Sequence, residues 1–141
     1  MKHAWIVAVV IAAATAALAP GALGSRSTAM GPVVKLKTKE FGPILATPRH
    51  LALYTWNREK TGKVRCTGAC ATAWPPLLVM KGHMIAKHVT GIMGTFGQVR
   101  RPDGRMQVTF NRRPLYTYRH DTATKILCDN VGGWFVVRVG R

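Results

Sequence analysis

Two stretches decide how this chain is read: LYTWNRE at residues 53–59 and LYTYRHD at residues 115–121. They align without gaps. Leu53, Tyr54, Thr55, Trp56 and Glu59 stand against Leu115, Tyr116, Thr117, Tyr118 and Asp121 at a shift of 62 residues, and the same shift carries Cys66 onto Cys128. Each copy closes on a tryptophan that opens an apolar run, Trp74 in WPPLLV and Trp134 in WFVVRV, with the second copy two residues shorter there. The chain therefore contains a duplicated unit.

Around these anchors the pattern is that of strands. In VVKLKTKEF, Val34, Leu36 and Thr38 alternate with Lys35, Lys37 and Lys39, the period of two that leaves one face buried and one wet. In HLALYTW, Leu51 and Leu53 point one way while Ala52, Tyr54 and Trp56 point the other, so this strand is expected to be covered on both sides. FGQVRRPDGRMQVTF reads as a hairpin turned at Pro102-Asp103-Gly104, where proline presets its φ, aspartate bonds the local backbone and glycine takes a left-handed position. NRRPLYTY and WFVVRV complete the strands. The single helical turn is placed at residues 69–74, stopped by Pro75 and Pro76.

The amino terminus reads as a secretory leader. A basic start is followed by an apolar run at residues 4–19, shorter than the ~20 residues that span a bilayer, and then by Pro20 and Gly21. Ala22 and Gly24 supply the small residues of a cleavage site before Ser25, the alternative being an uncleaved anchor. After cleavage no membrane span remains, and the protein is expected to be secreted or periplasmic. The mature chain beyond the leader makes one domain of ordinary size. With 21 basic and 5 acidic residues the chain carries +16. The basic residues are scattered, so they make either a generally cationic surface or a face for polyanions; anionic cell-envelope polymers are the expected partner class, with no specific nucleic-acid partner.

Three cysteines in an exported chain suggest one disulfide and one leftover thiol. Cys66 and Cys70 are the nearest pair, and Gly68 lets so short a loop bend until the sulfurs meet. Cys128 is left over: buried, engaged between molecules, or competing for a partner, with burial ranked first.

These pieces resemble a known family, the secreted or lipoprotein repeat proteins recognised by a repeated Tyr-x-[Phe/Trp/Tyr]-x-x-Asp motif, whose function is unknown. The matching segments are LYTWNRE, CTGACATAWPPLL, RRPDGRMQVTF, RPLYTYRHD and VGGWFVV, covering residues 41–137. Glu59 stands where the motif has its first Asp, Cys128 where a small or polar residue is usual, and no cysteine follows the leader to carry a lipid. The resemblance implies a freely secreted member rather than a tethered one.

Cys66, Cys70, His83 and His88 have legal zinc-finger spacing, but Pro75, Pro76 and Gly82 oppose the helix a finger needs, and a cysteine pair outside the cytoplasm is oxidised by default. Met80, His83, Met84, His88 and Met93 gather thioethers and imidazoles that suit copper, although such residues in a connector usually pack or face water. Glu59 and Asp121 are expected to accept hydrogen bonds from turn backbone or a tyrosine hydroxyl rather than to act as a catalytic pair, which would need a common pocket. Neither a nucleophile elbow nor a phosphate loop is present. Trp74 and Trp134 are structural aromatics. Arg100, Arg101 and Arg105 flank one turn and Arg112 and Arg113 mark the next, and these five are expected to share one end of the sheet as a polyanion site.

The reading is a mainly β protein: a small antiparallel β domain built from two related repeats with one short helical turn. Its parts are a leader at 1–24, an N-terminal segment and first strand at 25–40, a first repeat at 41–78, a connector at 79–94 and a second repeat at 95–141. It is expected to be non-catalytic, binding or scaffolding at the cell surface without a cofactor. The competing class is an extracytoplasmic copper, zinc or redox protein.

Overall fold

The structure is a computed structural model that describes residues 33–140. The leader reading at 1–24 lies outside the described residues. The chain is mostly β and wholly antiparallel in its pairings. Strands β1 (Val34–Thr38) and β2 (Gly42–Ala46) form one hairpin. Strand β3 (Tyr54–Trp56) runs into a 3-10 turn at Asn57–Glu59, and helix α1 (Ala69–Ala73) comes next. A second hairpin pairs β4 (Phe96–Arg100) with β5 (Met106–Phe110), which also pairs with the short β6 (Arg113–Pro114). Strand β7 (Trp134–Val136) returns to pair with β3.

Local sequence accounts for these elements. The alternating lysines of β1 are exposed while Val34, Leu36 and Thr38 are partly covered. The turn between β4 and β5 closes with Arg101 N donating to Arg105 O and Gly104 N to Arg101 O, and Gly104 takes φ +83°. Helix α1 ends at Trp74, immediately before Pro75.

The duplication is visible bond by bond. Tyr54 N donates to Tyr116 O (2.8 Å) and Tyr116 N to Tyr54 O (3.0 Å), an antiparallel bridge between equivalent residues, which is the local geometry of a twofold axis. Other bonds occur in matched pairs around it. Leu53 N donates to Leu45 O and Leu115 N to Val108 O; Val137 N to Leu53 O and Leu77 N to Leu115 O; Val139 N to Pro43 O and Val79 N to Met106 O. The β1–β2 hairpin is thus the counterpart of β4–β5, so the repeating unit includes β1, which the sequence pattern sets apart at 25–40.

Strand alternation sorts the interior into two clusters. Leu45, Leu53, Val108, Leu115 and Val137 belong to one, and Ile44, Tyr54, Trp74, Tyr116, Trp134 and Val136 to the other. Both motif segments pass between the clusters, Leu53 and Leu115 facing one and Tyr54 and Tyr116 the other. The connector at 79–94 lies over the first cluster, to which it lends Val79, Ile85, Val89 and the buried Ile92.

Candidate functional site

The repeated motif forms a crossed pair of buried hydrogen bonds at the junction of the two copies. The Tyr54 hydroxyl donates to Asp121 Oδ2 (2.5 Å) and the Tyr116 hydroxyl to Glu59 Oε1 (3.0 Å), so each tyrosine binds the acid of the other repeat. Both tyrosines are fully buried, and burial is the main reason their hydroxyls are pushed well above the ordinary phenol range. Each acid also caps its own turn. Glu59 Oε1 accepts from the amides of Arg65 (2.6 Å) and Cys66 (2.9 Å), and Asp121 Oδ1 from that of Leu127 (3.0 Å). Burial raises the Asp121 carboxyl, opposed by the bonds from Tyr54 and Leu127. Glu59 Oε1 and both Asp121 oxygens thus accept internal donors that tie the two copies together, while Glu59 Oε2 is buried without a partner.

Cys66 and Cys70 are joined as a disulfide with 5.2 Å between their Cα atoms. Their sulfurs are bonded to each other and are not thiolate ligands, which removes the finger. His83 and His88 lie in the exposed connector, with Met80 68%, Met84 87% and Met93 78% exposed. His83 Nδ1 lies 3.3 Å from Lys81 O, and among the described residues no three His, Cys, Asp or Glu side chains converge. Cys128 is free and buried. Burial pushes its thiol up, while the Tyr118 hydroxyl beside it pulls the other way.

The five arginines do not share one end. Strand β5 separates them: Arg100, Arg101 and Arg105 surround the turn before it, and Arg112 and Arg113 come after it, a strand's length of roughly 17 Å away. Arg101 is a structural residue. Only 2% exposed, it donates from Nη1 to Gln107 Oε1 (2.6 Å) and from Nη2 to Cys66 O (2.8 Å), tying the second repeat to the disulfide loop of the first. Arg105 is clamped on Asp103 (2.6 Å), which holds that carboxyl at about 2. A run of basic letters beside a turn gives no sign that one of them folds inward. Its acceptors, Gln107 Oε1 and Cys66 O of the other repeat, are what hold it there.

The other end presents a different surface. Asn111 and Arg112 form the two-residue loop between Phe110 and Arg113, with φ of +47° and +67°. Both residues are left-handed, as a type I′ hairpin turn requires, and the second position of such a turn favours glycine. Arg112 is exposed there all the same. Its carbonyl packs on Gly62, where an added Cβ would meet it at 2.7 Å, so the exposed Lys60 and Lys63 flank the turn. Arg113 is half-buried and donates to Trp56 O (3.1 Å), and the Arg58 guanidinium lies 5.3 Å over the Trp56 ring. The approach of Gly62 to Arg112 thus brings the segment carrying Lys60 and Lys63 to the turn carrying Arg112 and Arg113, beside the indole under Arg58. Nearby acids are engaged elsewhere: Glu59 is turned inward, and Asp129 pairs with Arg138 at 2.6 Å. Sequence reasoning names Arg112 and Arg113 but misses Lys60 and Lys63, whose segment Gly62 brings against the turn, and Arg58, which sits over the Trp56 ring.

Among the described residues no helix is long and apolar enough to cross a membrane. No curated protein and no solved structure matches the chain. The model of one family matches it twice, over residues 35–78 and 97–138, which are the two halves exchanged by the crossed tyrosine–acid bonds. With most of its length matched in this way, the chain belongs to the family described as a secreted repeat of unknown function.

Proposed function

We propose that the protein is a secreted, non-catalytic binding domain that holds anionic polymer of the cell envelope on the face formed by Arg112, Arg113, Arg58, Lys60 and Lys63. The observation that carries this reading is Arg112 itself. A non-glycine residue in a left-handed position costs about 1–2 kcal/mol, as at His50, Asn111, Arg112 and Asn130, and such positions cluster at binding sites and turns; Arg112 alone among these four carries a permanent cation. Guanidinium and ammonium groups on a face whose neighbouring acids are buried or ion-paired suit phosphodiesters or carboxylates in series. The motif acids support a non-catalytic role, because Glu59 Oε1 and both oxygens of Asp121 accept from tyrosine hydroxyls and turn amides in the interior.

The test uses Arg112→Gly, which places the preferred residue in the turn while deleting the guanidinium. Stability is expected to rise by about 1 kcal/mol. Affinity for a polyglycerol-phosphate polymer is expected to fall, and the slope of log affinity against log salt to lose roughly 0.7–0.9 for each contact removed. Unchanged affinity and slope in Arg112→Gly, or wild-type binding indifferent to salt, would overturn the assignment.

A further inference from the structure

The aromatic rings of the two motifs form one continuous column. Trp56 stacks on Trp134 with 5.1 Å between ring centroids and planes 2° apart. Trp134 stacks on Trp74 at 3.9 Å and 7°, and Trp74 meets Tyr118 at 4.6 Å and 37°. The two inner indoles are buried, while Trp56 and Tyr118 at the ends are only partly covered. Trp56 is anchored by its Nε1 donating to Gly132 O (3.1 Å). Arg58 caps that end, and His120, its counterpart at the shift of 62, sets its ring edge against Tyr118 at 5.4 Å.

Packing alone does not require this geometry. Aromatic pairs settle with centroids about 4.5–7 Å apart in offset or edge-on arrangements, because parallel rings drawn directly together oppose their quadrupoles. The central pair is closer than that and nearly parallel. What a close parallel stack maximises is orbital overlap. Indole and phenol are also among the side chains that yield one electron most readily, and electron transfer between rings slows steeply as the gap widens. Three indoles in near contact, ending on a phenol that can shed a proton, make a path along which an oxidising equivalent moves from one exposed end to the other.

We propose that Trp56, Trp134, Trp74 and Tyr118 form a hole relay. A one-electron oxidant of the peroxyl or organic-radical class takes an electron from Trp56. Trp134 refills Trp56, Trp74 refills Trp134, and Tyr118 refills Trp74 while releasing its phenolic proton to water. The neutral tyrosyl radical is then restored by one hydrogen atom from a small thiol or hydroquinone. Each cycle reduces one oxidant by one electron, consumes one hydrogen atom and releases one proton. Tyr54 and Tyr116 meet Trp74 and Trp134 edge-on at 5.2 and 5.1 Å, so they are side branches of the column, and oxidation of either is told apart from the relay by the radical that survives in Tyr118→Phe. It rests on the column alone and is independent of polymer binding.

The experiment tethers a ruthenium photo-oxidant at position 58 in an Arg58→Cys, Cys128→Ser protein, so that the oxidant sits on Trp56, and reads radicals by freeze-quench electron paramagnetic resonance after a flash. A tyrosyl signal is expected. It should be replaced by a tryptophanyl signal in Tyr118→Phe, a conservative change near the surface, and lost in Trp74→Phe once near-ultraviolet circular dichroism shows that variant folded. A tryptophanyl signal alone with Tyr118 in place, a tyrosyl signal that survives Tyr118→Phe, or a tyrosyl yield unchanged in folded Trp74→Phe would each overturn the relay.

Discussion

The first and second repeats share the crossed tyrosine–acid bonds and differ in their surfaces. In both, a tyrosine reaches across to the other copy's acid, that acid caps a turn, and a tryptophan fills the same place beneath. The segment from Cys66 to Trp74, however, holds α1 and a disulfide, whereas its shorter counterpart from Cys128 to Trp134 is a turn with Asn130, Gly132 and Gly133 at positive φ. The column ends in Trp56 under Arg58 on one side and in Tyr118 beside His120 on the other. What the copies retain in common is what closing the fold demands. Where they diverge, each is free to serve a different end.

This contrast can be broken most forcefully at the tryptophans. Trp74→Ala and Trp134→Ala are each expected to cost ~3–5 kcal/mol in urea unfolding, as buried aromatic truncations do. The two values should be close, because both rings occupy the centre of the same column. A large cost at one position and none at the other would show that the duplication is geometric without being energetic.

The acids come next and sharpen the difference between copies. Glu59→Ala strands three donors, the amides of Arg65 and Cys66 and the Tyr116 hydroxyl, whereas Asp121→Ala strands two. At about 1–3 kcal/mol for an unsatisfied buried group, partly relieved by relaxation, the expected losses are roughly 2–4 kcal/mol at Glu59 and 1–3 at Asp121. The same unfolding titrations check the order.

The pH dependence is smaller and has a definite sign. The Asp121 carboxyl is raised in the folded protein, so over the window between its ordinary value, about 3.9, and its raised native value the folded state binds more protons than the unfolded state. This contribution is full below the ordinary value and is lost as pH rises through the native one. The stability of the wild type relative to Asp121→Asn should therefore increase as pH is lowered from neutral and level off below the ordinary value. Asp129, lowered chiefly by its bond from Arg138, contributes in the opposite direction and is common to both proteins, so it cancels in the difference. A flat difference across that range would contradict the burial of Asp121.

Smallest is the disulfide. The Cys66–Cys70 loop is short, so its reduction should cost an amount at the low end of the ~0–5 kcal/mol range for disulfides. Intact-mass thiol counting should find one alkylatable cysteine, Cys128, that reacts only when the protein is unfolded.

The sequence reveals the two halves more readily than the way they engage. Period-two lysines mark β1, Pro102-Asp103-Gly104 marks the second hairpin, and Pro75 and Pro76 bound α1, because strand faces, turns and helix ends are decided by neighbours in the chain. The alignment of Tyr54 with Tyr116 gives notice of a repeat but not of the exchange of partners: an acid five residues after a tyrosine says nothing about whose hydroxyl it will accept. Arg101 reads as one of a group of exposed arginines although it is buried, since its acceptors, Gln107 Oε1 and Cys66 O, are assembled only by tertiary contact. The candidate face is half legible for the same reason. Arg112 and Arg113 stand beside a visible turn, while Lys60 and Lys63 are brought to them by the approach of Gly62.

The central claim is that the two copies are locked by bonds that cross between them, and a double-mutant cycle tests it most directly. Tyr116→Phe combined with Glu59→Ala should show a coupling energy of about 1 kcal/mol or more, as residues in contact do, whereas Tyr116→Phe combined with Asp121→Ala, the acid of its own repeat, should be additive to within about 0.5 kcal/mol. Strong coupling within the repeat and additivity across it would contradict the account.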